Sequence, residues 1–373
     1  MNIILGSDLV PTEKNYDLFN TGDVKSLLGK DLYNMWISYD YRIFNLETPL
    51  CNEESPIEKW GPNLIAPTST IKGIKALNPS LLTLANNHIY DQGLKGLNKT
   101  RDLLIEYNIP FFGAGDTPQQ ASAPYILEKN GIKIGFYTCA ENEFTIVSDT
   151  EPGANPFDPL ESLDHISKLK ETCDYVIVLY HGGKEYYRYP SPKLQKICRK
   201  MVEKGADLVA CQHSHCVGTL EKYLDSSIVY GQGNFIFNKV DNEFWNSGIL
   251  IDINITNKME LNFIPIVRTE VGVKLAGGDT KKTLLSEFYS RSEKILDENF
   301  IKKEYEELAK KNREKYLRSF SGFGKWFGRV DRILLNGILV KQLYSKRKKL
   351  AMRNYVECEA HRELFITALK LEK

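Results

Sequence analysis

Asp207-Leu208-Val209-Ala210-Cys211-Gln212-His213-Ser214-His215 passes from a short apolar run directly into a polar cluster with two histidines. A strand buried on both faces reads as a continuous apolar run rather than as an alternation, and such a strand is predicted here over 207–210. An H-x-H pair on an extended segment would put both rings on one side. The same break, apolar run then polar residues, recurs along the first two thirds of the chain. It is found at Gly6-Ser7-Asp8, Asn45-Leu46-Glu47, Ala85-Asn86-Asn87-His88, His181-Gly182-Gly183 and Gly233-Asn234-Phe235.

The apolar runs before these breaks predict strands over 2–5, 42–45, 81–85, 132–137, 175–179 and 227–230, with two more in succession over 248–253 and 260–267. Helical patterns fall between them over 69–76, 93–107, 160–172 and 191–204. Strands alternating with helices make an α/β layered domain, in which ligands collect outside the carboxyl ends of the strands. Taken singly the clusters have plain readings. Asp8 could cap a turn, and Asn86-Asn87-His88 could form one, since Asn tolerates left-handed backbone. Cys211 and Cys216 flank the histidine pair, but a structural zinc site of Cys and His needs a second pair, and only this one is local. Jointly, Asp, Glu, Asn and His at six strand ends form an inventory of ligands for Zn, Mn or Fe.

The 373 residues, 42% hydrophobic and 26% charged, exclude disordered and fibrous classes. No apolar run approaches the roughly 18 residues that span a bilayer. The opening residues carry no basic region followed by a long apolar one, so no secretory signal is expected. Seven scattered cysteines without a CxxC pair point to reduced thiols and a cytoplasmic protein.

The net charge of +1 hides a division. Residues 281–373 hold 23 basic against 13 acidic side chains, and residues 1–280 hold 26 against 35, giving +10 and −9. Two domains follow: an α/β domain at 1–270 and a helical, basic extension at 271–373. Within the extension, 284–296 and 302–317 read as amphipathic helices. Glycines interrupt 321–328, an apolar run follows over 333–340, and then Lys346-Arg347-Lys348-Lys349. The expected partner of this extension is an anionic membrane surface or an anionic polymer, the plainer reading being a helical cap with solvated lysines. No nucleic-acid motif is present.

At the same clusters the chain resembles the CapA family of capsule, or poly-γ-glutamate, synthesis proteins within the calcineurin-like metallophosphoesterases. The resemblance runs in order over about 1–240. It takes in Gly6-Ser7-Asp8, Asn45-Leu46-Glu47-Thr48-Pro49, Ala85-Asn86-Asn87-His88 with Asp91 and Gly93, and Phe112-Gly113-Ala114-Gly115. It continues through His181-Gly182-Gly183-Lys184-Glu185-Tyr186, Gln212-His213-Ser214-His215 and Tyr230-Gly231-Gln232-Gly233-Asn234. Two departures stand out: Ser7 precedes Asp8 where the family has Gly, and Gly182 follows His181 where it has an aromatic. Asp8-Leu9-Val10 also lacks the histidine of the superfamily's Asp-x-His motif.

The resemblance implies a four-layer αββα sandwich and one or two divalent ions, Mn, Zn, Fe or Mg. Asp8, Glu47 and His215 would serve one ion and Asn87, His181 and His213 the other, bridged by Glu47 or Asp8. His88 would be a proton donor oriented by Asp91, and Glu185 and Tyr186 would line the substrate pocket, while Asn234 would brace the floor. The implied function is a metal-dependent hydrolase of a phosphoester, on a phosphorylated small molecule or an anionic polymer. The alternative is a non-catalytic accessory protein of capsule assembly that binds polymer or partner subunits.

Overall fold

The computed structural model describes residues 1–239, 242–335 and 337–371. Asn336, inside the apolar run expected over 333–340, and the last two residues of the extension lie outside the described residues. The chain divides into two compact units, Met1–Ile301 and Lys302–Lys373.

Two large sheets build the first unit, beside a small two-stranded one of Ala114–Gly115 and Gly153–Ala154. One is eight-stranded and runs Val273–Leu275, Met259–Arg268, Ser247–Ile255, Asn2–Val10, Tyr41–Leu46, Leu81–Thr83 and Phe111–Phe112, with Asn234–Phe237 also pairing with Asn2–Val10. The other is six-stranded and runs Leu220–Tyr223, Ser226–Tyr230, Leu208–Gln212, Tyr175–His181, Ile132–Ala140 and Tyr125–Lys129. The inner strands of both are parallel; antiparallel strands close both flanks of the six-stranded sheet and one flank of the larger, whose other edge, Phe111–Phe112, is parallel.

The period of two along each strand assigns its side chains to layers. In Tyr175–His181, Ile177 and Leu179 meet Ile3, Leu5 and Ile43 of the opposite sheet in the middle layer. Val176, Val178 and Tyr180 face outward against Ile166, Leu169, Leu194 and Met201 of helices Ser162–Thr172 and Pro192–Glu203. On the other side Ile4, Phe44 and Leu82 pack against helices Tyr16–Thr21, Val24–Ile37, Ile71–Ala76 and Gly93–Glu106. Helix, sheet, sheet, helix: the unit is a four-layer αββα sandwich.

All nine apolar runs read as strands are strands. Helix Val24–Ile37 was not expected. Asp23 caps it by accepting the Ser26 N–H at 3.1 Å, and it buries Leu27, Leu28, Leu32 and Trp36, but Gly29 at φ 66° kinks it and interrupts the helical period. The domain edge expected at 270 is not where the compact unit ends. Helix Gly278–Lys294 packs Phe288 against Phe263 at 5.1 Å, and Arg291 donates to the carbonyls of Val217 and Gly218, so residues 271–301 belong with the sheets.

The second unit is helical, with Lys325–Leu334, Ile338–Leu343, Lys346–Glu357 and Glu359–Leu371 following the long helix Glu298–Ser319, whose first residues lie in the first unit. Among the described residues no helix is long and apolar enough to cross a membrane.

Trp36 ties the outer helical layer to the first sheet. It is 1% exposed, stacks on Phe235 at 4.9 Å, and its Nε1–H donates to the Leu77 carbonyl at 2.8 Å. Trp36→Ala should therefore cost about 3–5 kcal/mol in urea unfolding. A loss below about 1 kcal/mol would show that this layer is not held by the ring.

Candidate metal centre

The polar clusters of the sequence meet at the carboxyl ends of the parallel strands. Asp8 sits where strand Asn2–Val10 is irregular: its pairing with Tyr41–Leu46 slips between Leu5 and Asp8, and its pairing with Asn234–Phe237 slips between Asp8 and Leu9. Such a bulge re-aims the side chain it carries. Glu47 follows Tyr41–Leu46, Asn87 and His88 follow Leu81–Thr83, His181 ends Tyr175–His181, and His213 and His215 follow Leu208–Gln212. All are buried.

Two groups of ligand atoms form, each with its members within 4.8 Å of one another: Glu47, His181 and His213, and Asp8, Glu47 and His215. Glu47 belongs to both. Around His181 Nε2 lie Asn87 Oδ1 at 2.9 Å, His213 Nδ1 at 3.2 Å and Glu47 Oε1 at 3.2 Å. One ring nitrogen cannot satisfy three such neighbours. Atoms bound to a shared ion at about 2.0–2.2 Å, however, stand roughly 3.0–3.5 Å apart in tetrahedral or octahedral geometry. Glu47 adds the stronger sign, since both its oxygens are buried and neither has a hydrogen-bond donor among the described residues. The 3.2 Å approach to His181 lacks the alignment of a hydrogen bond. A dry carboxylate without donors is costly unless a cation completes it, and these residues fit one.

The H-x-H segment is not the extended one that its spacing suggests. It lies beyond the strand end, with His213 at φ 82° and His215 at φ 54°, and nearby Tyr186 is also left-handed at φ 59°. The two rings still share the site, with centroids 6.0 Å apart, because a turn rather than a pleat delivers them. Backbone of this kind is held by its surroundings: the His213 N–H donates to Asp8 at 3.1 Å, and His215 Nδ1 is 2.9 Å from Asn234 Oδ1. Cys211 faces the outer layer, its Sγ 3.7 Å from Cys198, and among the described residues neither ligand group contains a cysteine.

Amides fix the ligands from behind. Asn45 donates to Asp8 at 2.8 Å and accepts from Asn86 Nδ2 at 2.9 Å, while Asn86 Oδ1 accepts the His88 N–H at 3.0 Å. Below them Gln212 and Gln232 bridge to the carbonyls of Gly6, Leu5 and Ile249. Asp91 Oδ2 lies 2.6 Å from His88 Nδ1 and also accepts the Leu64 N–H. Lys59 completes this arrangement. Its ammonium pairs with Asp91 Oδ1, reaches His88 Nδ1 and the Asn87 carbonyl at 3.3 Å each, and its side chain is only 4% exposed.

Asn45, Asn86 and Lys59 were missed as functional residues. The two asparagines end apolar runs, which is a usable signal. Lys59 lies in an aperiodic stretch that offers none. Glu185 and Tyr186 lie at the mouth: the Tyr186 ring is 6.1 Å from His215, and the Glu185 charge acts on Glu47 and His181.

Burial governs the electrostatics. It raises the Asp8 carboxyl to about 6, with Glu47 adding repulsion, and holds Glu47 well above the usual carboxylate range, aided by Glu185 and Asp91. It also depresses His181, His215 and, most strongly, His213, so the rings are neutral near pH 7 and free to accept a cation.

The four-layer αββα fold is of the metallophosphoesterase-like kind, with these candidate ligand residues at its strand ends. The profile of the bacterial capsule synthesis protein PGA_cap family matches residues 3–239, and the chain belongs to that family. Among its relatives, the capsule biosynthesis protein CapA of Bacillus anthracis is 31% identical over 209 residues, 54% of this chain and 51% of the relative. The PGA biosynthesis protein CapA of Bacillus subtilis is 30% identical over 205 residues, 54% of each. The chain thus spans about half the length of the curated relatives it matches. Solved structures similar to it include a putative 5'-nucleotidase from Staphylococcus aureus, at 13% identity and a TM-score of 0.45 over 77% of this chain and 57% of that one. A phosphatase from Mycoplasma pneumoniae gives 12% identity and 0.42 over 73% and 90%.

The raised carboxyls set the pH dependence of cation binding. Below about pH 6 Asp8 holds a proton that a cation must displace, and burial with the nearby Glu185 and Asp91 likewise holds Glu47 above the usual carboxylate range. Affinity for Mn should therefore fall as pH drops through 6 and rise toward neutrality, by up to about tenfold per pH unit for each proton released. Calorimetry at pH 5.5, 6.5 and 7.5 measures this, and the slope should be shallower in Glu47→Gln. An affinity independent of pH would contradict the assignment. A separate test concerns Lys59: Lys59→Met strands the buried Asp91 carboxylate and should cost about 3–5 kcal/mol in chemical unfolding. Lys59→Met with Asp91→Asn should recover part of that loss.

Proposed function

We propose that this site is a divalent-metal centre that hydrolyses a phosphoester, on a phosphorylated small molecule or an anionic polymer of capsule metabolism. The observation that carries the reading is Glu47, a buried carboxylate with no donor that is common to both groups of ligand atoms. In the first group Asn87 joins Glu47, His181 and His213; in the second Asp8 and His215 join Glu47. Bound ions there would clamp the oxygens of the ester and bring a water's pKa toward 7.

The chain's own residues supply the rest. Asn45 and the His213 N–H orient Asp8, and Asn234 orients His215. Asp91 holds His88 at Nδ1, which leaves Nε2 as the nitrogen that exchanges a proton with the leaving oxygen. Lys59 fixes the Asp91 carboxylate and so the plane of the His88 ring. Glu185 and Tyr186 line the approach. A scaffold that only binds polymer has no need of the buried Lys59, Asp91 and His88 set, and this favours chemistry over the accessory reading.

Metal analysis of the purified chain, followed by nitrophenyl phosphomonoester and phosphodiester assays with Mn, Zn, Fe or Mg, tests the proposal. His88→Ala should keep its metal and lose turnover by roughly 10²–10⁴, whereas His213→Ala and Glu47→Gln should lose both. Metal release by His88→Ala would make His88 a ligand. Full metal occupancy with no ester turned over would replace this reading with the accessory one.

A further inference from the structure

Helix Lys325–Leu334 collects its apolar residues on one side. At 100° per residue Trp326, Phe327, Val330, Ile333 and Leu334 fall in an arc of about 120°. All five are exposed, from 44% for Val330 to 80% for Trp326. Soluble surfaces ordinarily scatter such side chains singly, and a contiguous patch marks an interaction site. Arg329 and Arg332 fall on one flank of the arc.

The charge along this stretch of chain is almost all of one sign, although Glu314 of the preceding helix pairs with Lys341. Residues 325–350 hold eight basic side chains and one acidic, Asp331. Asp331 is buried and accepts the Leu339 N–H at 2.9 Å, so its charge is turned inward. Lys346, Arg347, Lys348 and Lys349 open helix Lys346–Glu357 and are all exposed.

The partner has to meet both features. An anionic polymer or a nucleic acid would answer the charge and leave the arc in water. A second copy would cover the arc but set two strongly basic segments against each other. An anionic bilayer surface answers both, with Trp and Phe at headgroup depth and the basic side chains among the lipid phosphates. We propose that helix Lys325–Leu334, together with Lys346–Lys349, is a membrane-surface docking site for anionic lipid, the helix lying in the interface plane with its apolar arc inward. The proposal does not depend on the metal centre or its chemistry.

The full chain should be co-sedimented with vesicles of phosphatidylcholine alone and of phosphatidylcholine with 30% phosphatidylglycerol, at about 50 and 500 mM salt. Binding is expected only with phosphatidylglycerol and should weaken at least tenfold at high salt, since screening shortens the reach of exposed charges. Changing Lys346, Arg347, Lys348 and Lys349 to Gln should weaken it about tenfold or more, and so should Trp326→Ser with Ile333→Ser. In the unaltered chain, lipids brominated near the headgroup should quench tryptophan fluorescence, and Trp326→Phe should abolish that quenching. No binding to anionic vesicles at low salt overturns the proposal. So does binding that survives Trp326→Ser with Ile333→Ser, which would indicate charge attraction alone. A stable dimer that dissociates in that same variant would assign the arc to a second copy instead.

Discussion

A carboxylate sealed from water with no hydrogen-bond donor is the most demanding group in this molecule, and Glu47 is such a group. Burial alone pushes it toward the neutral form, and Glu185 and Asp91 push further. The protein does not answer with a lysine or an arginine at Glu47. It answers with neutral imidazoles and amide oxygens, which add no positive charge of their own. A pocket arranged in this way keeps its negative potential for something that enters from outside. The ammonium of Lys59, beside His88, is paired with Asp91.

The fold makes that arrangement affordable. Parallel strands buried on both faces can end in polar residues only at their tips, so the αββα sandwich concentrates its polarity along one edge. The same burial would be ruinous without satisfied neighbours. Asn45, Asn86, Gln212 and Gln232 take up backbone and side-chain groups beneath the ligand residues, while both Glu47 oxygens are left without donors among the described residues. Left-handed backbone at His213 and His215 is another cost, tolerated because Asp8 and Asn234 hold the turn in place.

Much of this was legible in the sequence because it is local. An apolar run of four to six residues that breaks into Asp, Glu, Asn or His is visible without knowing what it faces, and every strand found that way is present. Features set by distant partners were not legible. The kinked helix Val24–Ile37 hides its period behind Gly29. Helix Gly278–Lys294 looks like part of the charged extension until Phe288 is seen against Phe263. Lys59 resembles any surface lysine until the chain brings Asp91 to it. The H-x-H pair was found for a mistaken reason: the spacing suggested a pleated strand, and a turn does the work.

The ligands also have a long separation along the chain. Asp8, Glu47 and Asn87 come from the first sheet and its connections, while His181, His213 and His215 come from the second, on the far side of the middle layer. No two members of one sheet's set can hold a cation as a local hairpin of cysteines and histidines does in a zinc finger. The centre therefore exists only after loops of high contact order have closed and both sheets have docked. A cation bound here could not template folding from its early stages. It would act as a latch thrown last, reporting that the two halves of the sandwich have met.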